Sequence, residues 1–172
     1  MTHMHLRDAR DTDHDSIRDV TISAYEDYAT HSFWEEYRRS ILSTLMDIHP
    51  AEQIVAEHDG RIVGTVLLYP AGTVVDSPDG VPVHMASREI RLLAVAPAAR
   101  GQGVGMALMQ ECIRRARQSG APMLTLHTTD IMQTAMRMYE RMGFVRVPDL
   151  DFHPAPNIIV KGYRLPLDAA RP

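Results

Sequence analysis

The stretch Glu89 to Gly105, EIRLLAVAPAARGQGVG, constrains this chain more than any other. Ile90, Leu92, Leu93, Ala94 and Val95 form a nearly continuous apolar run, the pattern of a strand buried on both faces, and Pro97 ends it. Arg100-Gly101-Gln102-Gly103-Val104-Gly105 then leads into a helix with Val104, Leu108, Met109 and Cys112 at helical spacing and Gly120 as its stop. Three glycines at a helix start leave no Cβ over the first-turn amides, so unpaired N–H groups and the positive end of the helix dipole face outward. Such a start suits an anion, phosphate above all.

The flanking residues decide between glycine-rich loops. A P-loop requires Gly-Lys followed by Ser or Thr, and Gly105 is followed by Met106. A dinucleotide fold requires repeated βαβ units and an acidic residue about twenty positions on, and the sequence shows neither.

Composition sets outer bounds. The 172 residues, 45% hydrophobic and 23% charged, fit one domain over 1–172 with a real core. A formal charge of −4 argues against a general nucleic-acid binder. No apolar run approaches the ~20 residues of a membrane span, and MTHMHLRDAR is too polar for a signal peptide, so a cytoplasmic protein is expected. Cys112, the single cysteine, lies on the apolar stripe of its helix and reads as a buried small side chain. The nine histidines show no zinc-site spacing, so no metal is implied.

Along the chain, His5 to Arg10 reads as an edge strand. Asp11-Thr12-Asp13 reads as the cap of a helix through Ile17, Val20, Thr21, Ala24 and Tyr28. A second helix carries Phe33, Trp34, Tyr37, Ile41, Leu42 and Leu45 until His49-Pro50. Gln53–Glu57 and Ile62–Tyr69 form strands around Asp59-Gly60, a hairpin turn, and Gly64 marks a bulge or a close backbone contact. Pro70 to Pro82 is a loop or an extended hairpin tip. Met123 to His127 is a strand, and Thr128-Thr129-Asp130 caps a helix with Ile131, Ala135, Met138 and Met142 on one face. Phe144 to Val147 and Ile158 to Leu165 are strands separated by a proline-rich link.

The order βααβββαβαββ, with Arg100, Gly103 and Gly105 in an Arg-x-x-Gly-x-Gly pattern, resembles the GCN5-related N-acetyltransferase (GNAT) superfamily. A second signature of that family is met by Ala135, Tyr139, Glu140, Arg141, Gly143 and Phe144. The resemblance covers roughly residues 4 to 165. It implies an α/β fold, α+β in some schemes, with a mixed, mostly antiparallel central sheet flanked by helices.

It also implies a cosubstrate, acetyl-CoA, and transfer of acetyl to a primary amine of a small molecule by direct attack in a ternary complex. Alternatives are a peptide or protein acceptor, and a CoA-binding sensor that transfers nothing. In the family a strand bulge lets pantetheine pair near Leu93, Ala94 and Val95, where backbone N–H groups polarise the carbonyl. The amides of Gly101, Gln102, Gly103, Val104, Gly105 and Met106 then hold the pyrophosphate, with Arg100 contributing charge. The resemblance also carries frequent homodimers, with Ile158 to Leu165 as the contributing strand.

Chemistry selects two further residues. A primary amine has a pKa near ~10.4, so a base helps free its lone pair. Glu89, at the start of the central strand, is placed for that role or for pairing with Arg88 or Arg91. His84 and His127 are alternative bases or structural histidines. Tyr139 is the candidate acid: a phenol can protonate a leaving thiolate, and the resemblance puts it beside the thioester sulfur. One departure stands out. Many relatives carry Asn seven residues before this tyrosine, and here the position is Met132. That puts one polar cofactor contact in question, with Gln133 or Thr129 as substitutes.

Overall fold

A computed structural model describes residues 3–72, 74–76, 82–84, 87–155 and 157–167. They fall into two compact units, one of residues 1–68 and 92–111 and the other of 69–91 and 112–172.

The first unit begins with β1 (Met4–Asp8), α1 (His14–Tyr25), α2 (Trp34–Met46), β2 (Glu52–His58) and most of β3 (Arg61–Tyr69). Asp59 and Gly60 at φ 50° and 75° make the turn between β2 and β3, as Asp-Gly predicts. The register slips between Ala56 and Glu57, so Gly64 adjoins a bulge. A Cβ on Gly64 would come within 2.7 Å of Val104 Cγ1 and 3.2 Å of the Ala94 carbonyl, so the close contact is present too. Ile17, Val20, Thr21, Ala24 and Tyr25 form the buried stripe of α1, and Tyr28 follows in a 3-10 turn. The aromatics of the helical pair pack on one another, with Tyr37 5.5 Å from Tyr28 and 6.5 Å from Trp34 between ring centres. Asp13 does not cap α1; its carboxylate accepts from Arg7 Nη1 at 2.7 Å and from the Arg10 N–H at 2.7 Å.

A backbone hairpin of β4 (Val74–Asp76) and β5 (Pro82–His84) occupies the Pro70–Pro82 stretch. Residues 77–81 and the His84 side chain, a candidate base above, lie outside the described residues. The second unit is built on the start of β6 (Arg88–Val95), the end of α3 (Val104–Gln118), β7 (Met123–Thr128), α4 (Gln133–Arg141), β8 (Val145–Arg146), β9 (Phe152–Ala155) and β10 (Ile158–Pro166). β6 and β7 pair in parallel at Arg88–Leu124 and Glu89–Thr125, whereas β7, β8 and β9 each pair antiparallel with β10. The proline-rich link therefore contains a strand that its composition concealed.

The strand order is β1-β2-β3-β6-β7-β10-β8, mixed and mostly antiparallel, with β6 contributing to both units. Both glycine-stopped helices end alike. Ala121 N–H reaches the Ala116 carbonyl and Gly120 N–H the Arg117 carbonyl; Phe144 and Gly143 repeat this with Tyr139 and Glu140. These are Schellman ends, with Gly120 at φ 75° and Gly143 at φ 98°. Thr129 offers no side-chain cap, and Asp130 bonds Lys161 Nζ at 2.5 Å instead.

Candidate active site

In the first unit the site residues are mainly backbone. Leu92 stands at φ 50°, an uncommon conformation for leucine that breaks the alternation of β6. Just past it the Leu93 carbonyl accepts from Tyr25 Oη at 3.2 Å, tying α1 to the strand. Ala94 is buried, and beyond Val95 the Ala96 N–H returns to the Val63 carbonyl at 2.8 Å. A proline-started 3-10 turn, Pro97–Ala99, then delivers the chain to the glycine loop.

Gly101 and Gly103 stand at φ 76° and 80°, and a Cβ on either would meet nothing within 4 Å. The helical ladder of α3 opens with Ala107 N–H to the Gly103 carbonyl at 3.0 Å, so the amides of Gly101 to Met106 precede it. Open space, glycine conformations and a helix start together fit an anionic group such as a CoA pyrophosphate. The Arg100 side chain is committed elsewhere: Nη2 donates to the Ala24 carbonyl at 3.0 Å and pairs with Asp27 at 3.2 Å. Gln102 Nε2 turns back to the Ala98 carbonyl at 3.3 Å. Val104 is buried beneath the loop, on the stripe continued by Leu108, Met109 and Cys112.

In the second unit the site is made of side chains. The Glu89 side chain is 3% exposed, its Oε1 2.9 Å from His127 Nδ1 and its Oε2 3.2 Å from Arg91 Nε. Burial alone would push its carboxyl up; the His127 hydrogen bond and the charge of Arg91 outweigh burial and hold it below the usual carboxylate range. Glu89 is therefore a carboxylate at neutral pH. His127 Nε2 lies 2.9 Å from the Leu150 carbonyl, so the ring is held between the Glu89 carboxylate and a backbone carbonyl.

Sequence reasoning missed what holds Leu150. Arg146 grips Asp151 with two contacts of 2.6 Å, and Asp151 Oδ1 accepts the Gly162 N–H at 2.9 Å. Gly162 leaves no room for a side chain, because a Cβ there would lie 2.3 Å from that of Leu150. Gly162 also stands opposite His127 in the β7–β10 register. The glycine and the Arg–Asp spacing were the available signals.

Tyr139 is buried on α4 with its ring 6.0 Å from that of Phe144. The Schellman geometry explains that contact, since the residue after the C-terminal glycine packs back on the one five positions earlier. Half of the second signature is thus a helix-ending device that fixes Tyr139. Met132 sits half-buried in the 3-10 turn before α4, and Gln133 Oε1 is engaged by Arg137 at 3.2 Å. Among the described residues no group of three or more His, Cys, Asp or Glu could hold a metal ion, and no helix is long and apolar enough to cross a membrane.

A mixed, mostly antiparallel sheet with a glycine-opened helix defines an α/β class of protein. The chain belongs to the acetyltransferase (GNAT) family, whose model matches residues 14–144. It is 37% identical over 92 residues to the probable N-acetyltransferase family 8 member 5 of Mus musculus, covering 54% of this chain and 37% of that one. To the mycothiol acetyltransferase of Cellulomonas flavigena it is 33% identical over 110 residues, covering 62% and 30%. The chain thus spans about a third of the length of these two curated relatives. Among solved structures, a GNAT family acetyltransferase from Brucella melitensis in complex with acetyl-CoA is 25% identical, with a TM-score of 0.63 over 99% of this chain and 92% of that one. A GNAT acetyltransferase from Staphylococcus aureus, 15% identical, shares the fold at a TM-score of 0.74 over 96% of this chain and 100% of its own.

Proposed function

We propose that this chain works as one cytoplasmic acetyltransferase domain that moves an acetyl group from acetyl-CoA to a primary amine of a small molecule. The observation that carries the reading is the glycine loop, where Gly101 and Gly103 at φ 76° and 80° open α3 onto free space in a chain of this family. Acetyl-CoA, when bound, supplies the activated acetyl thioester.

The chain's residues do the rest. The amides of Gly101 to Met106 hold phosphate oxygens against the helix start. The backbone of Leu93 to Val95, freed from strand alternation at Leu92, supplies N–H groups to orient the donor arm. Glu89 takes the proton that the amine sheds as it attacks. It is kept ionised for this by His127 and Arg91, and it acts with little solvent around it. Tyr139 Oη supplies a proton to the departing sulfur, its ring fixed by Phe144.

The test is chromatographic measurement of CoA released from acetyl-CoA across a panel of small primary amines, with Tyr139→Phe beside it. Release with one amine class, reduced at least about tenfold (~1.4 kcal/mol of barrier) in the variant, is the expected result. Absence of release with every amine, while acetyl-CoA still raises the melting temperature, would favour a CoA-binding sensor or an acceptor outside the panel, such as a peptide or protein.

A further inference from the structure

Arg91 is the residue of the Glu89 cluster whose chemistry is not used up by that cluster. Glu89 and Arg91 are two apart on β6, so both side chains leave the same face of the strand. Arg91 spends its Nε on Glu89 Oε2, and its guanidinium carbon stands 5.3 Å from the centre of the Tyr69 ring. Tyr69 is itself secured, because its carbonyl accepts from Arg88 Nε at 3.2 Å. The guanidinium is thus pinned at one end and set over an aromatic ring.

Its other end is available. The Arg91 side chain is 41% exposed beside a Glu89 side chain that is 3% exposed. Among the described residues Nη1 and Nη2 donate no hydrogen bond. Two terminal nitrogens in a fixed plane form a fork that matches the two oxygens of a carboxylate. The surroundings select the same charge. Glu89 is already engaged by Arg91 and His127, so a polycationic acceptor gains little there and an oxyanion gains a partner.

We propose that Arg91 reads a carboxylate on the acceptor, which makes the acceptor an amino acid or similar small molecule whose primary amine stands one or two carbons from a carboxylate. The proposal rests on the acetyltransferase reading above and narrows its substrate class. The same guanidinium touches Glu89 at Nε and docks the acceptor at Nη1 and Nη2. An amine that close to the docked carboxylate comes within reach of Glu89. A polyamine nitrogen, or a peptide amine with only amide neighbours, brings nothing for the fork to hold.

The experiment compares each of a panel of α-amino acids with its own carboxamide, following acetyl-CoA consumption at neutral pH. The carboxamide keeps the amine and lacks the carboxylate. Its amine is also the less basic, so more of it is free at that pH and intrinsic reactivity favours it. A preference for the acid therefore reports recognition. The expected result is at least about a tenfold higher kcat/KM for the acid in the preferred pair, carried mainly by KM. In Arg91→Gln the acid-to-amide ratio falls to about one, and Arg91→Lys, which keeps the charge without the fork, retains part of it. Amides acetylated as well as acids by the wild-type protein would overturn the proposal while leaving the acetyltransferase reading intact, whether or not the variants fold. A full preference persisting in folded Arg91→Gln would overturn it equally. Absence of acetylation with every amino acid and amide would overturn the proposal, and only the same silence across the wider panel of small primary amines would remove the acetyltransferase reading as well.

Discussion

The start of α3 and the Glu89 cluster solve their problems with opposite materials. The glycine loop is built of main chain: two residues at positive φ, open space where side chains would be, and amides that precede the helical ladder. The Glu89 cluster is built of side chains drawn from β6 and β7, held by a carbonyl that a turn, an ion pair and a glycine on β10 keep in position. A main-chain site needs one short conformational pattern and writes it into consecutive residues. A side-chain site is gathered from distant places: Glu89 and His127 are 38 residues apart, and His127 and Leu150 are 23 apart.

The sharpest way to break the comparison is to neutralise the carboxylate. Glu89→Gln keeps the shape and loses the charge, and it should lower kcat by about 10²-fold or more if Glu89 is the base. His127→Asn should cost less in kcat, because the histidine acts through Glu89. It should also move the acidic limb of the pH–rate profile upward. The His127 bond lowers the Glu89 pKa, so removing it lets that pKa rise, and the ionised base is then lost at a higher pH. A limb that stays where it was in His127→Asn would sink the positioning role.

On the main-chain side, Gly103→Val places a β-branched residue at φ 80°. The strain of about 1–2 kcal/mol should either lower stability or shift the loop. Acetyl-CoA affinity should fall about tenfold while turnover at saturating acetyl-CoA changes far less. Calorimetric titration separates the two, and unaltered affinity in a folded variant would show that the loop does not hold the cosubstrate.

The same contrast explains what was legible in the sequence. Asp59-Gly60, Gly64, Gly120, Gly143 and the stripe of α3 could be read because each records a local requirement of turn, packing or helix end. The aromatics of α1 and α2 were placed by periodicity in the same way. Side-chain destinations were not legible. Asp13 does hold a backbone N–H, that of Arg10 in the turn before α1, but shares its carboxylate with Arg7; Asp130 has the residue type of a helix cap, yet a lysine claims it, since a charged partner offers more than a single backbone N–H. Arg100 matches a phosphate-binding pattern, and its guanidinium goes to the last turn of α1 and Asp27. β9 was hidden because Pro154 lies within it. Glu89 was selected from its position on a strand, but its dependence on His127 and Leu150 exists only once β7 and the turn after β8 are folded.

The smallest expected effect tests how far that dependence reaches. The Arg146 hydrogen bond, followed by the Gly162 N–H, outweighs burial and holds the Asp151 carboxyl below its usual range. A depressed folded pKa contributes stability that is present above the unfolded value of about 3.9 and is lost as pH falls through the folded value. Asp151→Asn should therefore cost about 1 kcal/mol near pH 7, modest because the Arg146 side chain is 33% exposed and screened. The difference from wild type should shrink as pH drops below about 4, where the wild-type carboxyl takes up its proton. Thermal melts across pH read this directly. If the clamp also sets the Leu150 carbonyl on His127, the variant should lose a few-fold in kcat with the acidic limb moved in the same direction as in His127→Asn. A loss of stability with an unmoved limb would confine Arg146 and Asp151 to folding and leave His127 positioned by Glu89 alone.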